Sequence, residues 1–421
     1  MEQELSFTGF PMSGYESWKK QVLKELGGKP FDGLLRTNAE DLSTEPVYTH
    51  DHHGPVLAVA ESDRKYLFRT PASEWEVRVD IKASPADTNR LAMQALEGGA
   101  NGLGIQADGW SPEDFQTALE GVILPIISIH LTFAGNPMPG MDAFRDYLSA
   151  ASYHPGEIRG SIHYPWLDDA LLLTEVVTRY RDFARFRLVP ADGLSWREEG
   201  AAAAREMAVA LALGHEALHR LTQSGFTADD ASGWIAFSLG TSQEYFTEIA
   251  RYRAMRYLWM RIIRSYAPEA ECSSHAWLTA TATRRSLSAA DHHTNLLRLT
   301  TEAMSALLGG VNALSLPAPE LQEPSAAARR WARNIHHILR EEARLHEVVD
   351  PAAGSWYLES LCAQLAQSAW ADFIAIEDRG GLAYCSSELR NEVRERGSRI
   401  AAEVESGKRV VIGQNKYQPK G

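Results

Sequence analysis

Cysteine is scarce in this chain, with three in 421 residues, at Cys272, Cys362 and Cys385. Few, odd in number and widely spaced, they argue against a disulfide framework and for a reducing compartment. Long apolar runs are missing as well. No segment approaches the roughly 18 uninterrupted apolar residues that a membrane helix needs, and the opening MEQELSFTGF has no basic stretch followed by an apolar core. A soluble cytoplasmic protein is the expectation. Positive charge is in deficit: 42 Lys and Arg face 55 Asp and Glu, a formal net charge of −13. That balance argues against nucleic acid or an anionic membrane as the main partner, while leaving room for a local basic pocket. Phosphate loops are absent too. There is no G-x-x-x-x-G-K-[ST], and no G-x-G-x-x-G opens a helix after a strand. The glycines of GGANGLG (98–104) read as a helix stop followed by a strand.

What is present is rhythm. Hydrophobic residues make up 44% of the chain, ample for a large core. From about residue 75, short β-branched or apolar runs alternate with longer helical patterns. The runs fall at 75–82, 101–107, 123–133, 157–164, 185–191, 233–239, 275–283 and 311–317. Eight strands, each followed by a helix, is the count of an α/β (β/α)8 TIM barrel. Helix-opening signals support it: Ser84-Pro85 with Asp87, Ser111-Pro112 with Asp114, and Thr241 with Glu244 three residues on. Residues 1–60 read as an extended arm, with a short helix at 15–26 capped by Ser13 and then turn-rich sequence. Such an arm lies on its own barrel or on a partner. The barrel is expected over 61–320. Residues 321–421 turn helical, in SAAARRWARNIHHILREEARL and ESLCAQLAQSAWADFIAIEDRGG. A turn at Asp350-Pro351 and Gly354 separates these two, and GKRVVIGQNKYQPKG reads as a strand-like exit.

Several histidine patterns invite chemistry. HEALH (215–219) fits H-E-x-x-H, where two histidines one turn apart grip zinc and the Glu activates water; Glu244 could add a third ligand. A zinc hydrolase is thus a remote alternative. Position weakens it, because His215 lies more than twenty residues past the fifth strand. At ~1.5 Å per residue that is about 30 Å along a helix, away from the strand ends where barrel chemistry sits. A solvated helix face is the simpler reading. THDHHG (49–54) could hold an adventitious metal but reads as a hydrated loop. ADHHTN (290–295) reads as a polar helix start capped by Asp291 or Thr294. His336 and His337 are adjacent and point to different faces. RYRAMRYLWMRIIR (251–264) mixes basic and aromatic residues, yet at helical spacing its apolar members share one face. It reads as an amphipathic barrel helix.

Longer stretches carry a resemblance. VVDPAAGSWYLESLCAQLAQSAWADFIAIEDRGG (348–381) resembles the segment after the barrel in the methylmalonyl-CoA mutase family, where the pattern is close to VDPxGGSxYxExLTxxLAxxAWxxFxxIExxGG. EIARYRAMRYLWMRI (248–262) is similar to EIAKxRAxRxLWxxL, and TNLLRLTTEAMSALLGGVNAL (294–314) to NNxxRTTxEAxAAxLGG. The arm at 18–49 resembles that family's approach to its barrel, and RVVIGQNKY (409–417) its departing linker. The resemblance spans nearly the whole chain and implies a substrate-binding (β/α)8 barrel.

Departures from the catalytic pattern are concentrated at strand ends. Catalytic chains carry R-Q-Y on strand one, whose Tyr assists cobalt–carbon homolysis; here the matching residues are Arg78, Val79 and Asp80. After strand five, G-Y-H-M-Q-E-A-G becomes GLSWREEG (193–200), so Leu194 and Ser195 replace the Tyr and the His that bonds the thioester carbonyl. On strand six, R-L-S-F-F becomes WIAFS, with Trp234 and Ala236 at the Arg and Ser positions. T-H-C-Q-T-S-G after strand seven gives way to LTATATR (278–284), which includes Thr281. G-Y-D-S-D after strand two is replaced by GIQADGWSPED (104–114). A radical rearrangement needs a closed pocket with donors aimed at the carbonyl, which these replacements remove. The D-x-H-x-x-G loop that ligates cobalt is found nowhere in the chain, so no flavodoxin-like cobalamin domain is expected.

The resemblance therefore implies a small, structural subunit with no catalytic, cofactor-binding or metal residues of its own. Adenosylcobalamin would sit in a large catalytic mutase subunit, its heterodimer partner, with a homodimer when that partner is missing. The complex would interconvert methylmalonyl-CoA and succinyl-CoA. The alternative is the barrel half of a split acyl-CoA mutase that recruits a cobalamin protein in trans.

Overall fold

Runs of β-branched and apolar residues bounded by turn signals become strands when both faces can be covered. In the computed structural model, which describes residues 14–418 except 39, 41, 53–60, 71–73 and 170, all eight expected runs do so. They are β1 (Glu76–Ile81), β2 (Gly102–Gln106), β3 (Ser128–Thr132), β4 (Arg159–His163), β5 in two pieces (Phe186–Arg187 and Val189–Asp192), β6 (Ile235–Thr241), β7 (Leu278–Ala282) and β8 (Ala313–Ser315). Every pairing around the ring is parallel, and β8 returns to β1 with Leu314 opposite Val77. The ladder breaks at Leu188: the residues before it pair with β4 and those after it with β6. Both pieces belong to one continuous run, so the barrel closes through the backbone itself.

The helix signals mostly act as the local chemistry dictates. In α1 (Tyr15–Glu25) the cap residue is Gly14, and the expected Ser13 lies outside the described residues. In α2 (Pro85–Glu97) the Ser84 hydroxyl accepts the Asp87 amide at 3.3 Å. In α3 (Pro112–Ala118) Ser111 and Asp114 cap each other's amides, a full capping box. Further on come α4 (Leu194–Glu199), α5 (Ala203–Gln223) and α6 (Tyr245–Ser265). Thr241 does not cap α6. It ends β6, and the helix starts four residues later after Glu244. α7 (His292–Leu308) is capped by Asp291, which accepts the Thr294 amide at 3.1 Å.

The C-terminal region holds α8 (Ala326–His337), α9 (Trp356–Asp378) and α10 (Leu382–Glu405). α10 is an addition to the sequence reading. Its signal is a thin stripe of Leu382, Cys385, Leu389, Val393 and Gly397, buried at three- and four-residue spacing in an otherwise charged helix. The tail is not a strand among the described residues. It is a turn with a single bridge between Ile412 and Lys416.

α6 corrects a second expectation. It is not amphipathic, because α9 covers the side that a barrel helix usually shows to water, and Arg251, Arg253 and Arg256 are all buried. Arg251 reaches Glu206, Glu248 and the Gly240 carbonyl. Arg253 forks onto Glu359, at 3.0 and 3.1 Å, and onto Asp350 at 2.9 Å. Arg256 takes the carbonyls of Ala276 and Gly310 and the Asn312 side chain, at 2.5, 2.6 and 2.8 Å. The turn before α9 is what brings Asp350 and Glu359 to Arg253. It needs left-handed backbone at Asp350 (φ 45°) and Gly354 (φ 80°).

The arm lies on its own barrel. Asn38 bonds Thr247 at 2.9 Å, and Tyr48 packs on Tyr357 at 5.1 Å between centroids. Glu40 enters the core and takes Arg197 at 2.6 and 3.2 Å and the Ala203 amide at 2.7 Å.

Candidate functional site

Side chains alternate across a strand, so polar residues at every second position share a face. β1 carries Glu76, Arg78 and Asp80 in that register, and β3 carries Ser128, His130 and Thr132. In a closed barrel this face points inward. The interior is accordingly not packed with branched aliphatics. At the C-terminal end of the strands it opens into a cavity of about 470 Å³, lined by such residues as Arg78, Gln106, His163, Asp192, Ser238 and Thr279.

Two residues of this mouth, Arg78 and Asp80, are matched to each other. Arg78 Nε donates to Asp80 Oδ1 at 2.7 Å, and the Ser315 hydroxyl donates to Asp80 Oδ2 at 2.6 Å. Burial alone would raise the Asp80 carboxyl, but the Arg78 charge and the Ser315 hydrogen bond outweigh it and hold the group below the usual range. Asp80 also dictates its neighbour: a Cβ on Gly104 would come within 1.8 Å of Asp80 Oδ1. Deeper on the axis, His130 bridges Glu76 Oε1 at 2.6 Å and Ser161 Oγ at 2.7 Å. Burial pushes the Glu76 carboxyl up, but His130, Arg78 and Ser128 together outweigh it and leave the group below its usual range. A second cavity of about 340 Å³ at the opposite end of the barrel is lined by Glu76 and His130, and His130 also lines the mouth, so its ring stands between the two. His163 faces Asp192 at 3.7 Å.

Of the six positions singled out from the sequence, five line this mouth: Asp80, Leu194, Ser195, Ala236 and Thr281. Leu194 and Ser195 open α4, where the Ser195 amide bonds Asp192 at 3.3 Å. Trp234 stands elsewhere. It precedes β6 and packs edge-on against Phe226 at 5.3 Å. Glu76, His130, His163 and Asp192 escaped the sequence reading, although polar residues at period two inside barrel strands were a legible signal.

The histidine motifs serve packing. His215 bonds Glu377 of α9 at 2.9 Å, and Glu216 bonds Arg220 at 2.6 Å. Among the described residues, no three His, Cys, Asp or Glu converge as metal ligands. His50 pairs with Asp51 at 3.1 Å. His336 accepts the Trp75 indole at 3.4 Å, and His337 bonds the Gly98 carbonyl at 2.8 Å.

Comparisons with known proteins agree on one family. The pattern described as methylmalonyl-CoA mutase matches residues 110–421. Against the methylmalonyl-CoA mutase small subunit of Porphyromonas gingivalis the chain is 27% identical, covering 99% of this chain and 71% of that one. Against the small subunit of Streptomyces virginiae it is 31% identical, covering 88% and 65%. Against methylmalonyl-CoA mutase of Cereibacter sphaeroides it is 29% identical, covering 96% and 64%. The chain thus spans about two thirds of the length of these relatives.

Proposed function

Because this chain belongs to the methylmalonyl-CoA mutase family, we propose that it acts as the small subunit of a two-subunit mutase that interconverts methylmalonyl-CoA and succinyl-CoA. Its part in that complex is structural, and turnover belongs to a large partner chain. Adenosylcobalamin, when bound, supplies the radical chemistry of such an enzyme. The mouth described above does not fit that group. Arg78, Asp80, Lys82, Asp192 and Glu198 crowd a space of about 470 Å³, whereas a corrin needs a broad, largely apolar seat. No step through the cofactor is therefore assigned to this chain.

The observation that carries the reading is the chemistry of the five mouth positions. Leu194 offers no donor, Ser195 offers only a short hydroxyl, and Ala236 offers none. Asp80 is already neutralised by Arg78. A thioester carbonyl needs a preorganised donor at hydrogen-bond distance in a dry site, and of these five positions only the short Ser195 and Thr281 hydroxyls can donate. The small-subunit names of two relatives support the same assignment. Exposed apolar groups suit a subunit contact: Phe246, Val348, Val349 and Trp356 stand out near the turn before α9, the first three between 49% and 63% exposed.

Co-expression with a large mutase chain tests this directly. The expected outcome is a stable complex with mutase activity, and no activity from this chain alone when adenosylcobalamin is added. Vigorous turnover by the isolated chain would sink the proposal.

A further inference from the structure

Beside the mouth, beneath the last helix, lies a cleft of about 630 Å³. Residues 283–287 form one side, and α10 with the tail after it forms the other. α10 crosses closely because two glycines meet. A Cβ on Gly200 (φ 121°) would fall 2.5 Å from the Gly397 Cα, and one on Gly397 would fall 2.4 Å from the Glu199 carbonyl.

Arginines dominate the cleft. Arg197 is neutralised by Glu40 and Glu248, and Arg409 approaches Glu403 at 3.4 Å. Arg284 and Arg285 are held differently. Arg284 donates to the Leu321 carbonyl at 2.6 Å, and Arg285 to the Gly397 carbonyl at 3.0 Å. A carbonyl fixes the direction of a guanidinium without cancelling its charge, and each guanidinium keeps further N–H donors. Facing them on α10 are Ile400 and Val404, and Leu287 adds an apolar group on their own side. Five arginines against three glutamates (Glu40, Glu244 and Glu405) line the cleft, so in a chain of net charge −13 it forms a locally positive field.

We propose that this cleft binds a small phosphate ester of nucleoside-diphosphate size. Its phosphates would sit on Arg284 and Arg285, since planar guanidinium forks suit phosphate oxygens. Its base would lie against Ile400 and Val404. The site is separate from the mouth and does not depend on the subunit reading.

Calorimetric titration of the full chain with ADP, and separately with inorganic pyrophosphate, tests it. Saturable binding of ADP is expected, weakened about tenfold or more in Arg284→Ala and in Arg285→Ala. It should be unchanged in Arg181→Ala, which alters an exposed arginine outside the cleft. Arg285 also steadies α10, so Val404→Trp provides a charge-neutral check: it should exclude ADP and spare pyrophosphate. Absence of saturable ADP binding overturns the proposal, as does ADP binding that neither Arg284→Ala nor Val404→Trp changes. Binding of a polyglutamate peptide in place of ADP also overturns it, by making the cleft a protein-docking surface.

Discussion

Two regions of this molecule concentrate charge, and they do so to different ends. In the seam between α6 and α9, arginines are shared across long stretches of chain. Arg253 joins the barrel to Asp350 and Glu359, 97 and 106 residues away. At the mouth, charges cancel close by: Arg78 meets Asp80 two residues on in the same strand. Glu248, Arg253, Arg256, Asp350 and Glu359 are among the residues that carry the family resemblance. The resemblance therefore survives where charge holds helices together, and breaks off at the strand ends, where charge and donors would meet a substrate. The contrast ties this chain to its family through scaffold.

Breaking the seam should have the largest effect. Arg253→Ala leaves Asp350 and Glu359 in a mostly buried site without their cation, and we expect a loss of about 3–5 kcal/mol. Urea unfolding measures it, and an unchanged midpoint would mean that the two carboxylates find other partners. At the mouth, Gly104→Ala drives a methyl group into Asp80. We expect about 1–3 kcal/mol of destabilisation, partly recovered in the double variant with Asp80→Ala, as a double-mutant cycle would show.

A pH profile sharpens the comparison from a third position. Burial pushes the Glu302 carboxyl up to about 8, above an unfolded value near 4.5. The folded state thus holds a proton that the unfolded chain releases. Stability from this group is full below about pH 4.5, declines as pH rises, and is lost by about pH 8. Thermal melts across that window should show Glu302→Gln losing less stability with rising pH than the parent chain; parallel curves would contradict the assignment. The smallest effect belongs to the mouth positions themselves. Ser195→Ala, assayed in the complex with the large subunit, should change turnover by less than about twofold. A large drop in kcat would restore a catalytic role to this chain.

Much of the fold could be read from neighbours in sequence. The eight strand runs stand where their composition put them. Ser84, Ser111 and Asp291 cap helices because a cap needs only an oxygen and an amide a few residues apart. Thr241 misled because the same spacing occurs inside a strand, where the next barrel strand claims the backbone. α10 went unread because its apolar stripe is one residue wide, and only α4 and the chain after it supply the surface that the stripe covers.

Five of the six positions singled out by motif correspondence line the mouth, since a strand's register fixes which residues reach its end. Trp234 falls outside because the strand starts one residue after it, with Ile235. The His130–Glu76 pair is 54 residues apart in sequence and meets only once the barrel has closed.

Periodicity, caps and turns are short-range properties, so the amino-acid sequence alone specifies the strand and helix segments and most of their ends. The state of the charged residues is long-range. Arg253 is turned from water only by α9 and the turn before it, Arg251 and Arg256 find Glu206, Gly240, Ala276 and Gly310 only on the closed barrel, and whether Glu40 is a surface acid or a buried one depends on Arg197, 157 residues away. A buried charge is stable only beside its partner, and tertiary structure alone provides the partner.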